Sequence, residues 1–240
     1  FRVLANDGKT YDYHIPNNWF VKKTDATVLK KWHGWDKLNK EYTTRIKIIS
    51  GIRDIIIDPT YRLADAYMLD NSYKCPIQFD YDTRLWKTPD WKKYEVRYRP
   101  EIWYNAYDGI QAGVHLNGGY MNHHHLFDAN FWLNTGQLQK EDMNNTELFN
   151  NFSYRINYNT NLDAISSKSR IFIGTQWLAG LHYNKIGLKK SSDNEKSNIF
   201  LNLITMYRPK NSDLNYLLYP NHWGVNKLNN RIDISYEYNY

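Results

Sequence analysis

From about residue 93 onward the chain alternates between apolar and polar side chains with period two. Successive strand side chains point to opposite faces, so such a segment can only be a strand with two unlike sides. "IQAGVHLNGGY" puts Ile110, Ala112, Val114, Leu116 and Tyr120 on one face, with Gln111, His115 and Asn117 opposite. "FDANFWLN" sets Phe127, Ala129, Phe131 and Leu133 against Asp128, Asn130, Trp132 and Asn134. "FSYRINYN" sets Phe152, Tyr154, Ile156 and Tyr158 against Ser153, Arg155, Asn157 and Asn159. "RIDISYEYNY" sets Ile232, Ile234, Tyr236, Tyr238 and Tyr240 against Arg231, Asp233, Ser235, Glu237 and Asn239. Between them, "IFIGTQWLAGLHYNKIGL" and "NIFLNLITMYR" alternate less cleanly. Asp108-Gly109 is a hairpin signal. The stretches 137–148, 190–197 and 209–229 read as longer loops.

Two environments produce this pattern: a soluble sandwich with one wet face, or a membrane barrel with a wet interior. Two features favour the barrel. The polar face is rich in Asn, Ser and Gln, as a water-filled interior requires, and Tyr and Trp gather toward strand ends, as in interfacial girdles. The segments also approach the ~10 residues a bilayer-spanning strand needs. Mean hydropathy is −0.75, and no run approaches the ~18 apolar residues of a membrane helix. That excludes a helical span and leaves a barrel open. The chain starts at Phe1 with no apolar leader after it, so a processed or partial chain is expected.

The first part reads differently. "EYTTRIKIIS" puts Tyr42, Thr44, Ile46 and Ile48 on one strand face, and "GIRDIIIDP" makes a second short strand closed by Pro59. "DPTYRLADAYML" offers Leu63, Ala66 and Tyr67 at helical spacing, where a turn or loop fits equally well. The charge divides at the same place. Residues 1–100 carry 19 basic and 13 acidic side chains, while 101–240 carry 12 of each. The basic residues are scattered singly along the alternating segments, which points to a solvated face and away from nucleic acid. The expected fold is all-β: residues 1–92 form the terminal part of a β-sandwich and a linker, and 93–240 form antiparallel β-barrel-like strands.

Chemistry-bearing motifs are sparse. The lone Cys75 excludes internal disulfides and Cys-based zinc sites, and with Pro76 it precedes a strand as a structural thiol. His123, His124 and His125 invite a metal reading, but consecutive strand side chains diverge and no carboxylate sits at a ligand spacing. Trp32-His33-Gly34-Trp35 brackets a turn glycine. Gly118-Gly119 follows a strand with no helix behind it, and no nucleophile-elbow, P-loop or dinucleotide fingerprint occurs. The abundant Tyr and Trp leave sugar stacking open as an alternative. No catalytic, cofactor-binding or metal-ligating residue is assigned.

One resemblance goes further. "KIISGIRDIIIDPTYRLADAYMLDNS", with Ile57, Asp58, Pro59, Arg62, Leu63, Ala64, Asp65 and Asn71, resembles the close of the peptidase region in large outer-membrane-associated gluzincin zinc aminopeptidases. The next stretch, with Arg99, Pro100, Trp103, Tyr104, Asn105, Asp108, Gly109, Gly113, His115, Asn117 and Gly118, resembles the following barrel-like region, as does "LLYPNHWG", Leu217 to Gly224. The resemblance spans about residues 25–240 and implies a Gram-negative outer-membrane location. It implies lipid as a partner, together with other outer-membrane proteins or the peptidase region itself. In that family two His of His-Glu-x-x-His and a downstream Glu hold zinc, and the motif Glu is the general base. None of those positions exists here, so zinc and peptide hydrolysis are expected only in a region outside this chain. The expected role is anchoring and scaffolding. The alternatives are a secreted glycan-binding sandwich, an outer-membrane channel or transport component, and a metalloenzyme built on the histidine run.

Overall fold

The computed structural model describes residues 1–17, 23–34, 37–83, 85, 87–139, 151–194, 196–208 and 228–239. The chain is all-β and divides into two compact units, residues 1–77 with 91–93, and residues 78–90 with 94–240.

The first unit contains β1 (Arg2–Ala5), β2 (Thr10–His14), β3 (Thr27–Val28) and β4 (Ile52–Ile56), in the sheet order β3-β2-β1-β4. Strand β1 is antiparallel to both neighbours, and β2 and β3 are parallel. Val3 and Ala5 are fully buried, and Met68 and Leu69 of a 3₁₀ turn (Met68–Asn71) are also buried. One expectation fails in this unit. The "EYTTRIKIIS" strand is not formed. Tyr42, Ile46 and Ile48 are half-covered while Glu41, Thr43 and Lys47 are exposed, so the alternation is visible in burial without a ladder partner. Alternation reports which side is covered; it does not supply a hydrogen-bonded neighbour. Over 58–69, where helix and turn fitted the spacing equally well, the chain takes the turn. Asp58 Oδ2 accepts from the Leu63 amide at 2.6 Å, and Asp65 accepts from the Tyr67 amide at 2.8 Å and from Asn71 at 2.9 Å. Short carboxylates that capture nearby amides compete with helix. The Ile-Asp-Pro…Arg-Leu-Ala-Asp segment is therefore a turn-building device.

The second unit is one antiparallel meander. Its strands are β5 (Ile77–Tyr81), β6 (Tyr94–Asn105), β7 (Gly109–Tyr120), β8 (His124–Asn134), β9 (Phe152–Asn161), β10 (Ser169–Leu178), β11 (Leu181–Ser191), β12 (Ser197–Tyr207) and β13 (Leu228–Tyr238). They lie side by side in sequence order as a nine-stranded sheet. Among the described residues the sheet is open, with β5 and β13 at its edges. β5 starts directly after Pro76, and residues 78–90 group with this unit. The "less clean" segments are ordinary strands, β10 to β12. The loop expected at 190–197 is shorter, because β11 runs to Ser191 and β12 begins at Ser197. The stretches expected as loops at 137–148 and 209–229 lie mostly outside the described residues, as does "LLYPNHWG". Only His123 of the histidine run lies in the turn; His124 and His125 open β8, next to a register shift between Gly118 and Tyr120.

Register carries one consequence through the sheet. Directly opposed residues of an antiparallel pair share a face. Trp103 faces Gln111, Gln111 faces Asn134, Asn130 faces Arg155, and Gly174 faces both Asn157 and Lys185. Apart from the shift at Gly118/Tyr120, the registers from β6 to β13 run without a slip. One face therefore collects most of the polar side chains and the other most of the apolar ones, with Leu126, Phe172, Leu178, Phe200, Ile204 and Met206 as apolar members of the polar face. Gln111, Asp108, Ser153, Asn130, His115 and Asn134 are buried, as are the apolar Val96, Tyr107, Tyr120, Ala129, Trp132 and Ile204. On the apolar face, Ile102 is 79% exposed, Leu133 65% and Ile234 75%.

The β10–β11 hairpin sets the tightest local demand. Ala179 and Gly180 both take positive φ, 48° and 69°. A Cβ on Gly180 would also stand 2.8 Å from Tyr107 Oη. Gly180→Val is expected to destabilise the fold by ~1–3 kcal/mol. Denaturant unfolding of the full chain in detergent measures this, and an unchanged midpoint would contradict the turn geometry.

Candidate functional site

The polar face is built most densely on β6 to β9. At the β6–β7 turn, Asn105 Oδ1 accepts from the amides of Tyr107 at 2.9 Å and Asp108 at 2.7 Å, which closes the hairpin. Its Nδ2 donates to Asp108 at 3.0 Å and to Gln111 at 3.1 Å. Gln111 Nε2 donates to Asn134, and Asn134 Nδ2 donates to Ser153 Oγ at 2.8 Å. This chain of side chains crosses four strands, β6 to β9, and fixes their register from the polar side. Burying amides is tolerable only when they are paired in this way.

Toward mid-strand the amides give way to charges. Arg99 pairs with Asp82 and lies 3.7 Å from Glu101; Asn117 donates to Asp82 at 3.0 Å. His115 Nε2 meets Asp128 Oδ2 at 2.7 Å, Asn130 donates to Asp128 at 3.2 Å, and Arg155 approaches it at 3.8 Å. Two indoles complete the group. Trp103 and Trp132 lie with ring centroids 5.5 Å apart and planes tilted by 39°. They meet because Gly113, opposite Trp132 and beside Trp103's partner Gln111, puts no side chain between them. A Cβ there would fall 1.9 Å from the Phe131 carbonyl oxygen. Arg99, Glu101, Trp103, His115, Asp128, Asn130, Trp132, Arg155 and Leu178 line a concavity of about 320 Å³.

Much of the second resemblance motif converges here. Arg99, Trp103, Asn105, Gly113, His115 and Asn117 share this face, with Asp108 hydrogen-bonded at its rim, while Pro100, Tyr104 and Gly118 belong to the opposite face. Sequence reading missed Asp82, Glu101 and Arg155 as members of the group. The available signal was the hairpin at Asp108-Gly109. A loop of Ala106, Tyr107 and Asp108 sets Glu101 against Gly113 and Arg99 against His115.

The histidine run is divided between a turn and the start of β8. His123 sits in the turn, and its carbonyl accepts from Arg170 at 3.0 Å. His125 Nδ1 pairs with Tyr158 Oη at 2.7 Å. Among the described residues, no three His, Cys, Asp or Glu side chains come together as a metal would require. The residues present do not fit the zinc site of the resembled family. Cys75 is exposed, and partial burial raises its thiol pKa, which works against a reactive thiolate.

Asp108, in the turn, is the group whose titration matters. Burial raises its carboxyl pKa above the ordinary value of 3.8, against the hydrogen bonds from Asn105 and the Ala179 amide. A raised acid pKa means that the folded state holds its proton longer than the unfolded state. Stability from this group is therefore present at low pH and lost as pH rises from about the ordinary carboxylate value through the raised one. Asp108→Asn is expected to flatten that part of the stability–pH curve, measured by unfolding across pH 3 to 8. A wild-type curve with no fall over that range in excess of the variant's would contradict the assignment.

No protein-family model, characterised protein or solved structure matches this chain.

Proposed function

We propose that the second unit is an outer-membrane anchor. It holds the chain in lipid through the apolar face of its sheet and scaffolds a zinc-aminopeptidase-like activity located outside this chain. The observation that carries the anchoring is the exposed apolar face itself. Ile102, Leu133, Ile173, Ile186, Leu188, Ile199, Leu203, Ile232 and Ile234 are all open on it. Soluble monomers rarely leave so continuous an apolar surface in water, whereas lipid removes the cost. Aromatic side chains flank the band at both strand ends. Tyr104, Phe152, Trp177 and Tyr207 lie at one, and Tyr120, Phe127, Tyr158, Tyr236 and Tyr238 at the other. Rings with an apolar body and a polar edge suit the headgroup level.

Polar atoms on this face are kept in pairs. Thr175, Asn184, Thr205 and Asn230 form one in-register row across β10 to β13. Within it Thr175 donates to Asn184 at 2.7 Å and Thr205 to Asn230 at 3.1 Å. The strands of the meander from β6 on are 10 to 12 residues long, which suits a tilted bilayer crossing. Unpaired strand edges are costly in hydrocarbon, so the proposal requires β5 and β13 to be covered in the membrane. The peptidase association rests on the sequence resemblance.

The test is depth-resolved. A fluorescent probe at position 234, on the apolar face, should be quenched by brominated or spin-labelled lipid, and one at position 233, on the polar face, should not. Ile186→Arg should cost ~2–4 kcal/mol of insertion stability, while Lys185→Ala should be nearly silent. If position 234 ignores the lipid quenchers, or the chain is recovered soluble after carbonate washing, the anchor reading fails.

A further inference from the structure

The concavity on the polar face is not explained by anchoring. A structural lining needs only paired polar groups, like the amide chain from Asn105 to Ser153. The concavity departs from that pattern in three ways.

Its charges are balanced within the site. Of the residues that line it, Arg99 and Arg155 stand against Glu101 and Asp128 at contact distances of 3.8 Å or less. Such a site presents donors and acceptors side by side with little net attraction for an ion. Its aromatic groups also face the wet side. Every other exposed Trp or Tyr of β6 to β13 named above lies on the apolar face, but Trp103 is 45% exposed on the polar one, resting on the buried Trp132. Finally, its lining leaves polar atoms unsatisfied. Arg99 Nε, Glu101 Oε2, His115 Nδ1 and Trp132 Nε1 are buried just beneath the surface with no hydrogen-bond partner. His115 and Trp132 are only 6% and 5% exposed. A native fold leaves few such atoms, because a buried polar group without a partner is costly. Four of the seven among the described residues belong to the lining of this one cavity, which is at the lower end of the ~300–1,000 Å³ range of small-ligand pockets.

We infer that this concavity binds a neutral sugar, a mono- or disaccharide unit. The Trp103 indole takes the C–H face of the ring, and Arg155, Asp128, Asn130 and Glu101 share its hydroxyls. A pyranose fits where an ion or an aliphatic ligand does not. It has one apolar face for the indole, and its neighbouring hydroxyls each donate and accept, matching alternating guanidinium, carboxylate and amide groups. The site belongs to the wet face of the sheet and does not depend on whether the other face meets lipid.

The test uses the full chain in detergent and a panel of free ligands: maltose, N-acetylglucosamine, glucuronate, glucosamine and a neutral dipeptide. Intrinsic tryptophan fluorescence and calorimetry should both show saturable binding of at least one neutral sugar, with the charged analogues weaker. Trp103→Ala should weaken that binding about tenfold or more, and Glu101→Gln by a few-fold, while Trp177→Phe on the apolar face should leave it unchanged. Trp103 is partly exposed, so its removal should leave the unfolding transition in place. If the variant misfolds, calorimetry of the unaltered chain decides alone. No saturable binding of either neutral sugar, equal binding by Trp103→Ala, or preference for the dipeptide or glucuronate would each overturn the inference. Failure of the lipid-quenching test with intact sugar binding would overturn only the anchor.

Discussion

The second unit depends on an almost unslipped antiparallel register from β6 to β13. Side chains alternate faces with every residue, so a one-residue slip between any two strands would throw lysines and asparagines among isoleucines. The register holds because turn geometry and cross-strand polar bonds agree. Asn105 closes the first hairpin through two backbone amides. Ala179 and Gly180 close a second with two positive φ values. Between them, Gln111, Asn134 and Ser153 are hydrogen-bonded from strand to strand on the buried side.

This register gives the sheet two unlike faces. In the small first unit Val3 and Ala5 are the most buried residues. In the second unit the most buried side chains are Tyr120, Gln111, Asp108 and Ser153, three of the four polar, while Ile173, Ile186, Ile199, Ile232 and Ile234 stand open. The proposed lipid contact concerns those open isoleucines.

The polar face itself is not uniform. Near the β6–β7 turn it is a network of paired amides that runs from Asn105 through Gln111 and Asn134 to Ser153. A few residues along the same strands it becomes a charge-balanced hollow with an indole floor and unsatisfied atoms. Satisfied networks rigidify; unsatisfied ones mark places where something else completes the set. Their adjacency puts a rigid support directly beside a recognition surface, the arrangement by which a binding site keeps its geometry.

Much of this was legible in the sequence. The all-β class, the residues on each face of β7, β8, β9 and β13, and the turn at Asp108-Gly109 follow from period-two alternation and turn chemistry, because both are local. The same locality misled at "EYTTRIKIIS", where alternation exists without a partner strand, and it left helix and turn undecided at 58–69, where Asp58 and Asp65 capture amides that a helix would need. What the sequence did not disclose was the meeting of Asp82, Arg99, Glu101, His115, Asp128 and Arg155. They come from four strands and the residue just after β5, separated by up to 73 positions, and only the paired register of those strands sets them side by side. Alternation alone says which face a residue occupies. Its neighbours on that face are decided by hydrogen-bonded ladders between distant segments, and those exist only once the sheet has formed.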